Sequence, residues 1–218
     1  MQYFGGLGER GVTTPAAAMA ARRDGSGYWI VDDRGLVHAF GSAPFKGDMR
    51  GRHVNGRIIA LEPTPSGNGY WLLGSDGGVF SFGDARFHGS TGNMRLNKPI
   101  ISMKATTNGD GYWLLAADGG VFSLGGARFH GSTGGMRLNA PIISMAVDPS
   151  GRGYWLLGSD GGVFTFGRGL GFHGSIPGIG LCASPVSTQI RPSANGGGYW
   201  LLASDGGVFS FGDAIFRG

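Results

Sequence analysis

Cysteine is nearly absent. Cys182 is the only one in 218 residues, so no disulfide can form within the chain. Such a domain must be held by an apolar core, and a chain of this length can build one. The compartment stays open on this ground. No apolar run approaches the ~18 residues that a membrane-spanning helix needs. The opening Met1-Gln2-Tyr3 is not the basic-then-apolar start of a secretory signal. Charged residues make up only 15%, with a formal net charge of +4. The 18 Lys and Arg residues stand in ones and twos, without the concentrated patch of a nucleic-acid binder. No nucleic-acid partner is expected. Glutamate is the scarcest acid, present only as Glu9 and Glu62.

Glycine, in contrast, is abundant at 46 residues, beside 41% hydrophobic residues. It lacks the three-residue period of collagen, and so much apolar content does not stay disordered. The glycines must punctuate a packed structure. A repeat shows how. Tyr-Trp recurs at Tyr28-Trp29, Tyr70-Trp71, Tyr112-Trp113, Tyr154-Trp155 and Tyr199-Trp200, at spacings of 42, 42, 42 and 45 residues. All five tryptophans and every tyrosine except Tyr3 fall in this pair.

One full unit runs from Pro99 to Ala140, as PIISMKATTNGDGYWLLAADGGVFSLGGARFHGSTGGMRLNA. It divides into PIISMKA, GYWLLA, VFSLG and a short ARFHG, with glycine breaks between them. Asp118-Gly119-Gly120 carries the hairpin signal, since glycine supplies the positive φ that tight turns require. The Tyr-Trp-Leu-Leu strand is apolar on both faces, which suits a strand buried between two sheets. Four short antiparallel strands in a period of about 42 residues are the sequence form of a propeller blade. The expectation is one all-β domain over residues 1–218, a five-bladed β-propeller of four-stranded antiparallel blades.

The units are uneven. Units two to four are nearly identical, unit one has drifted, with His38 in place of Phe, and unit five has a longer approach loop that holds Cys182. QYFGG at the start and AIFRG at the end both match RFHGS, so six copies of the last motif accompany five of the rest. Five units suffice for a closed ring, and a six- or seven-bladed ring built from more material is the alternative.

GYWLLGSDGGVFSFGDARFHGS (Gly69 to Ser90) and GYWLLASDGGVFSFGDAIFRG (Gly198 to Gly218) resemble repeats of secreted actinobacterial proteins, where such arrays accompany a hydrolase or cell-wall module. The resemblance covers essentially the whole chain and implies a propeller in an extracellular or cell-surface setting. In layout the chain is also similar to tachylectin-type five-bladed lectins, although their sugar-binding motifs are absent here.

Catalysis fits poorly. Propeller glycosidases converge carboxylates on the first strands, and a glycosidase needs a pair of them. Here AAAMAAR, RIIALEP, PIISMKA, PIISMAV and VSTQIRP contain only Glu62. The chain is therefore read as a non-enzyme. Asp76, Asp118 and Asp160, with Asp205, precede glycine in hairpins, where Asp caps a turn through its own backbone. One Asp per blade cannot supply the six or more oxygens of a Ca²⁺ site. His88, His130 and His173 share one position, filled by Lys46 and Arg217 elsewhere, and stand on separate blades, so no shared metal is expected. That position is a solvated face or a repeated contact.

The loops STGNMRLN (Ser90 to Asn97) and STGGMRLN (Ser132 to Asn139) nearly coincide, although loops usually vary more than the elements they join. Recent duplication explains this, and so does a repeated site. Arg, Asn and Ser beside an aromatic ring suit sugar hydroxyls and a sugar face. His88, Arg95 and Asn97, and likewise His130, Arg137 and Asn139, are expected near a hairpin aspartate on one rim. The reading is a multivalent, lectin-like module without cofactor or metal. Its partners are glycans, cell-surface or cell-wall polymers, or other protein modules. A monomer is expected, with a strand-exchanged oligomer as the alternative.

Overall fold

The computed structural model describes residues 2–181 and 187–216. Its strands fall where the apolar runs and glycine breaks put them. Unit one of the repeat gives β1 (Ala16–Ala21), β2 (Gly27–Asp32) and β3 (Val37–Gly41). Unit two gives β4 (Ile58–Pro63), β5 (Gly69–Gly74) and β6 (Val79–Gly83). The third gives β7 (Ile100–Ala105), β8 (Gly111–Ala116) and β9 (Val121–Gly125), the fourth β10 (Ile142–Val147), β11 (Gly153–Gly158) and β12 (Val163–Gly167). The last gives β13 (Ser187–Pro192), β14 (Gly198–Ala203) and β15 (Val208–Gly212). Each triplet is one three-stranded sheet in sequence order, and the strands of β1–β6 and β10–β15 pair antiparallel. Five such sheets match the blades of a five-bladed propeller.

By contact the chain divides into two compact units, Met1–Trp113 with Leu124–Ala127, and Leu114–Ser123 with Arg128–Gly218. Within the first, β1 touches β4 and β4 touches β7; within the second, β10 touches β13. First strands thus line up side by side. β1, β4, β10 and β13 each carry an irregularity in register near the start, as between Ile58 and Ala60 and between Ile142 and Ser144, which bends the strand as a β-bulge does.

The middle strands are buried on both faces, as their unbroken apolar sequence requires. Every residue of β5, β8 and β11 is buried, and each interior leucine there contributes roughly 1.5–3 kcal/mol. Alternation gives each sheet a Trp face and a Tyr face. The Trp face of one sheet meets the Tyr face of the next. Trp29 tilts against Tyr70 with ring centroids 5.8 Å apart, Trp71 against Tyr112 at 5.6 Å, and Trp155 against Tyr199 at 5.7 Å.

The expected fourth strand is not formed. After β6 the chain turns sharply at Gly83, whose φ is +68° and where a side chain would collide with the Asn68 carbonyl. The segment beyond it spends its main-chain groups on side chains instead of a ladder. Trp71 Nε1 donates to the Arg86 carbonyl at 2.7 Å. The His88 amide donates to the Tyr112 hydroxyl at 3.1 Å, which donates on to the Gly89 carbonyl at 2.6 Å. The same double latch joins Trp155 to Gly171, and Tyr199 to His173 and Gly174. The segments after β3, β6 and β12 are thus stapled to their own sheet by tryptophan and to the following sheet by tyrosine.

This division of labour accounts for the sixth copy of the motif. At the start, the Phe4 amide donates to Tyr28, whose hydroxyl donates to the Gly5 carbonyl, the tyrosine half of the latch. At the end, the Ile215 carbonyl accepts from Trp200 at 3.1 Å, the tryptophan half. Arg217, which shares the histidine position, and Cys182 lie outside the described residues.

Candidate functional site

The loop after the third repeat is built from a buried threonine outward. Thr133 is fully buried. Its amide donates to the Gly119 carbonyl at 3.1 Å, and the Met136 amide donates back to Thr133 at 2.8 Å. At the loop's far end the Ser159 amide donates to the Pro141 carbonyl at 2.9 Å. The loop therefore bridges two successive hairpins. The second hairpin is closed by its aspartate: Asp160 Oδ1 accepts from the Gly162 amide at 3.0 Å. That leaves the other carboxylate oxygen without a partner in the turn.

Between loop and hairpin lies a groove of about 180 Å³. Arg137, Asn139 and Asp160 supply its polar edge, and Met136, Leu138 and Phe164 its apolar wall. Its volume falls below the roughly 300–1,000 Å³ of drug-sized sites, so it suits one ring-sized group. Arg137 and Asn139 are exposed, and neither makes a hydrogen bond or ion pair with the described residues. Arg137, Asn139 and Asp160 are thus brought together.

In the second repeat the start of the loop is the same. Thr91 is buried, its amide donates to Gly77 at 3.0 Å, and Met94 donates back to Thr91 at 2.9 Å. Arg95 and Asn97 stand exposed beyond that clamp. The near-identity of Ser90-Thr91-Gly92 and Ser132-Thr133-Gly134 follows from packing under the hairpin glycine. That of the arginine and asparagine does not.

Asp76 and Asp118 repeat the turn chemistry of Asp160, accepting from Gly78 and Gly120 at 2.9 Å. The histidines do not line the Arg137–Asn139–Asp160 groove. His88 stands edge-on to Tyr112 with centroids 5.4 Å apart, and its Nε2 lies 3.4 Å from the Gly109 carbonyl. His173 packs on Tyr199 in the same way, and His130 on Tyr154. Burial, with the Arg128 guanidinium adding to it, pushes His130 below the usual imidazole value. Their shared position is a contact to the following tyrosine, not part of the Arg-Asn-Asp groove.

Glu62 is also committed. Its carboxylate accepts from Lys104 Nζ and from the Ala105 amide, both at 3.2 Å, tying β4 to β7. Among the described residues no three His, Cys, Asp or Glu side chains gather closely enough to hold a metal ion, and no helix is long and apolar enough to cross a membrane.

Sequence reasoning missed one set of side chains. Tyr3, Phe45, Phe87, Phe129, Phe172 and Phe216, each preceding the latch position, are 55–69% exposed. The signal was present, since all six copies of the motif keep an aromatic there. Reading the segment as a short fourth strand hid it.

No family model matches the sequence, and no curated protein matches it. Solved structures do resemble it in fold. A structural-genomics protein of unknown function from Bacteroides thetaiotaomicron aligns with a TM-score of 0.58 at 12% identity, covering 92% of this chain and 60% of its own. The Cps50 (Swd1) β-propeller domain of Myceliophteria thermophila aligns with a TM-score of 0.60 at 11% identity, covering 87% and 63%. The chain thus spans 60% and 63% of the lengths of the two structures, and what the likeness establishes is the fold: this chain is similar to β-propeller domains.

Proposed function

We propose that the chain is a non-catalytic, multivalent binding module whose ligand is a carbohydrate on a cell surface or cell wall. The observation that carries this reading is the groove of Arg137, Asn139 and Asp160 beside Phe164. Guanidinium, amide and carboxylate offer donors and acceptors to hydroxyls, while a ring and two aliphatic side chains offer an apolar face. Because Arg137 and Asn139 have no partner within the described residues, their repetition as Arg95 and Asn97 is better accounted for by a ligand than by the fold. A small site binds weakly, and repetition along the chain offsets this through effective concentration. The similarity to secreted actinobacterial repeats and to the layout of tachylectin-type lectins agrees with an extracellular setting.

A glycan array followed by calorimetry is the test. Millimolar or tighter binding of a saccharide, lost in Arg137→Ala, supports the reading; no saccharide bound at millimolar concentration rejects it. A protein-interaction propeller is the second reading, favoured by the solvent-facing aromatics Tyr3, Phe45 and Phe87 in one unit and Phe129, Phe172 and Phe216 in the other.

A further inference from the structure

The loop of the first repeat stands on the same frame as the groove loop of the third. Residues 46–58 align with 130–142 in the repeat. The Met49 amide donates to the Gly35 carbonyl at 3.1 Å and the Arg52 amide to the Met49 carbonyl at 2.9 Å, as the Thr133 and Met136 amides do in the third loop. At the far end the Ser75 amide donates to the Arg57 carbonyl at 2.8 Å, the counterpart of Ser159 and Pro141. Asp76 closes the facing hairpin as Asp160 does. Val54 and Phe80 occupy the repeat positions of Leu138 and Phe164, half-buried against the core. Loop and hairpin both belong to the first compact unit.

What the frame carries is different. Arg50, Arg52, His53 and Arg57 replace Gly134, Met136, Arg137 and Pro141, and all four are exposed. The loop's own acid is turned inward. The Asp48 side chain is 8% exposed, accepts from the Arg50 amide at 2.9 Å and meets the Arg50 guanidinium only at 3.7 Å. Arg52 rests over the Phe82 ring, 5.3 Å from its centroid, on the face of β6 that Phe82 shares with Phe80. Neither Arg52 nor Arg57 has a side-chain hydrogen bond or ion pair with the described residues. His53 Nε2 donates to Asn55 Oδ1 at 3.1 Å, which commits that oxygen and leaves the Asn55 amide hydrogens as donors. On the preceding hairpin Asp33 and Arg34 offset one another. Positive charge thus exceeds Asp76 here, whereas Arg137 and Asp160 balance in the third-repeat groove.

We infer that this loop is a subsite for sugars bearing an oxyanion, a carboxylate or a phosphate. The inference rests on the saccharide reading above and adds the charge of the ligand. Arg52 and Arg57 supply cations whose planar forks match either oxyanion. Asn55 and Asp76 offer a donor and an acceptor to hydroxyls, and Val54 with Phe80 an apolar face. A nucleic acid would call for cations spread along a strand and for exposed rings on which bases stack, and this loop is short and carries no aromatic residue.

Amide NMR and calorimetry with oligogalacturonate and with phosphomannan test this, beside unphosphorylated mannan and an oligothymidylate. At least one acidic polymer should bind and shift the amides from His53 to Arg57. Arg57→Ala should weaken that complex at least about tenfold, the loss expected of one charge-assisted hydrogen bond. Binding of a neutral saccharide in the Arg137 groove should be unchanged. Circular dichroism checks the fold of the variant, and the amide shifts of the unaltered chain decide if it fails. Shifts confined to Met136–Asn139 overturn the inference. So does failure of both acidic polymers while a neutral saccharide still binds, an outcome that leaves the saccharide reading standing. If no saccharide of either kind binds, both fall. Oligothymidylate bound as tightly as the acidic polymers, with the same loss in Arg57→Ala, overturns the sugar subsite in favour of a general polyanion surface.

Discussion

The amide of His88 donates to the hydroxyl of Tyr112, so that a side chain of one repeat fixes the main chain of the one before it. Removing that hydroxyl leaves the His88 amide and the Gly89 carbonyl without their partner. A polar group stranded in this way costs about 1–3 kcal/mol. Tyr112→Phe should therefore lower the melting temperature, at about 2–4 °C per kcal/mol for a chain of this size. Thermal melts followed by circular dichroism check it.

The same tyrosines make the fold sensitive to alkali. Burial pushes Tyr70 up to about 12, and raises Tyr112, Tyr154 and Tyr199 as well. A raised value in the folded chain means that the unfolded chain loses its phenolic protons first. Stability is then full below pH 10 and falls as pH climbs from about 10 towards 12. Denaturant titrations at stepped pH should show this loss, and Tyr70→Phe should make it shallower.

Gly119 has φ of +78°, and a side chain there would run into the Thr133 hydroxyl. Gly169 has a similar φ of +71° but nothing near its missing side chain. Gly169→Ala should cost only the left-handed penalty, about 1–2 kcal/mol. Gly119→Ala should cost about 1–3 kcal/mol more, through overpacking. Equal losses in chemical denaturation would contradict the clamp of Thr133 under the hairpin.

Much of this was legible in the sequence, for physical reasons that can be named. GYWLLA and VFSLG are β8 and β9 to the residue, because glycine marks the strand ends, and the apolar side chains on both faces of GYWLLA put β8 in a fully buried position. ARFHG misled. It has a strand's composition, but its main-chain groups are taken by Trp and Tyr side chains from two sheets, and no local pattern announces a distant hydroxyl. Arg137, Asn139 and Asp160 do line one groove, because loop and hairpin share a rim. The histidines were misplaced for the same reason that ARFHG was: once the segment is latched to the next tyrosine, His88 must face that ring.

Glu62 should behave as a structural tie. Glu62→Ala strips the Ala105 amide and the Lys104 ammonium of their acceptor, at about 1–2 kcal/mol for a half-buried pair. Saccharide binding should be unchanged. A hydrolytic activity that disappears in Glu62→Gln would instead make the residue catalytic.

Arg137→Ala and Asn139→Ala should separate binding from folding. Both side chains are exposed and make no internal bond with the described residues, so each should shift stability by no more than about 0.5 kcal/mol. Each should nevertheless weaken saccharide binding at least tenfold by calorimetry.

The most direct measurement is a crystal of the unaltered chain soaked in mixed oligosaccharides. The predicted result is density for a sugar ring in the groove, within hydrogen-bond reach of Arg137, Asn139 and Asp160 and lying against Phe164. An empty groove at millimolar saccharide, or a sugar seated on Phe87 or Phe172 instead, would contradict the assignment.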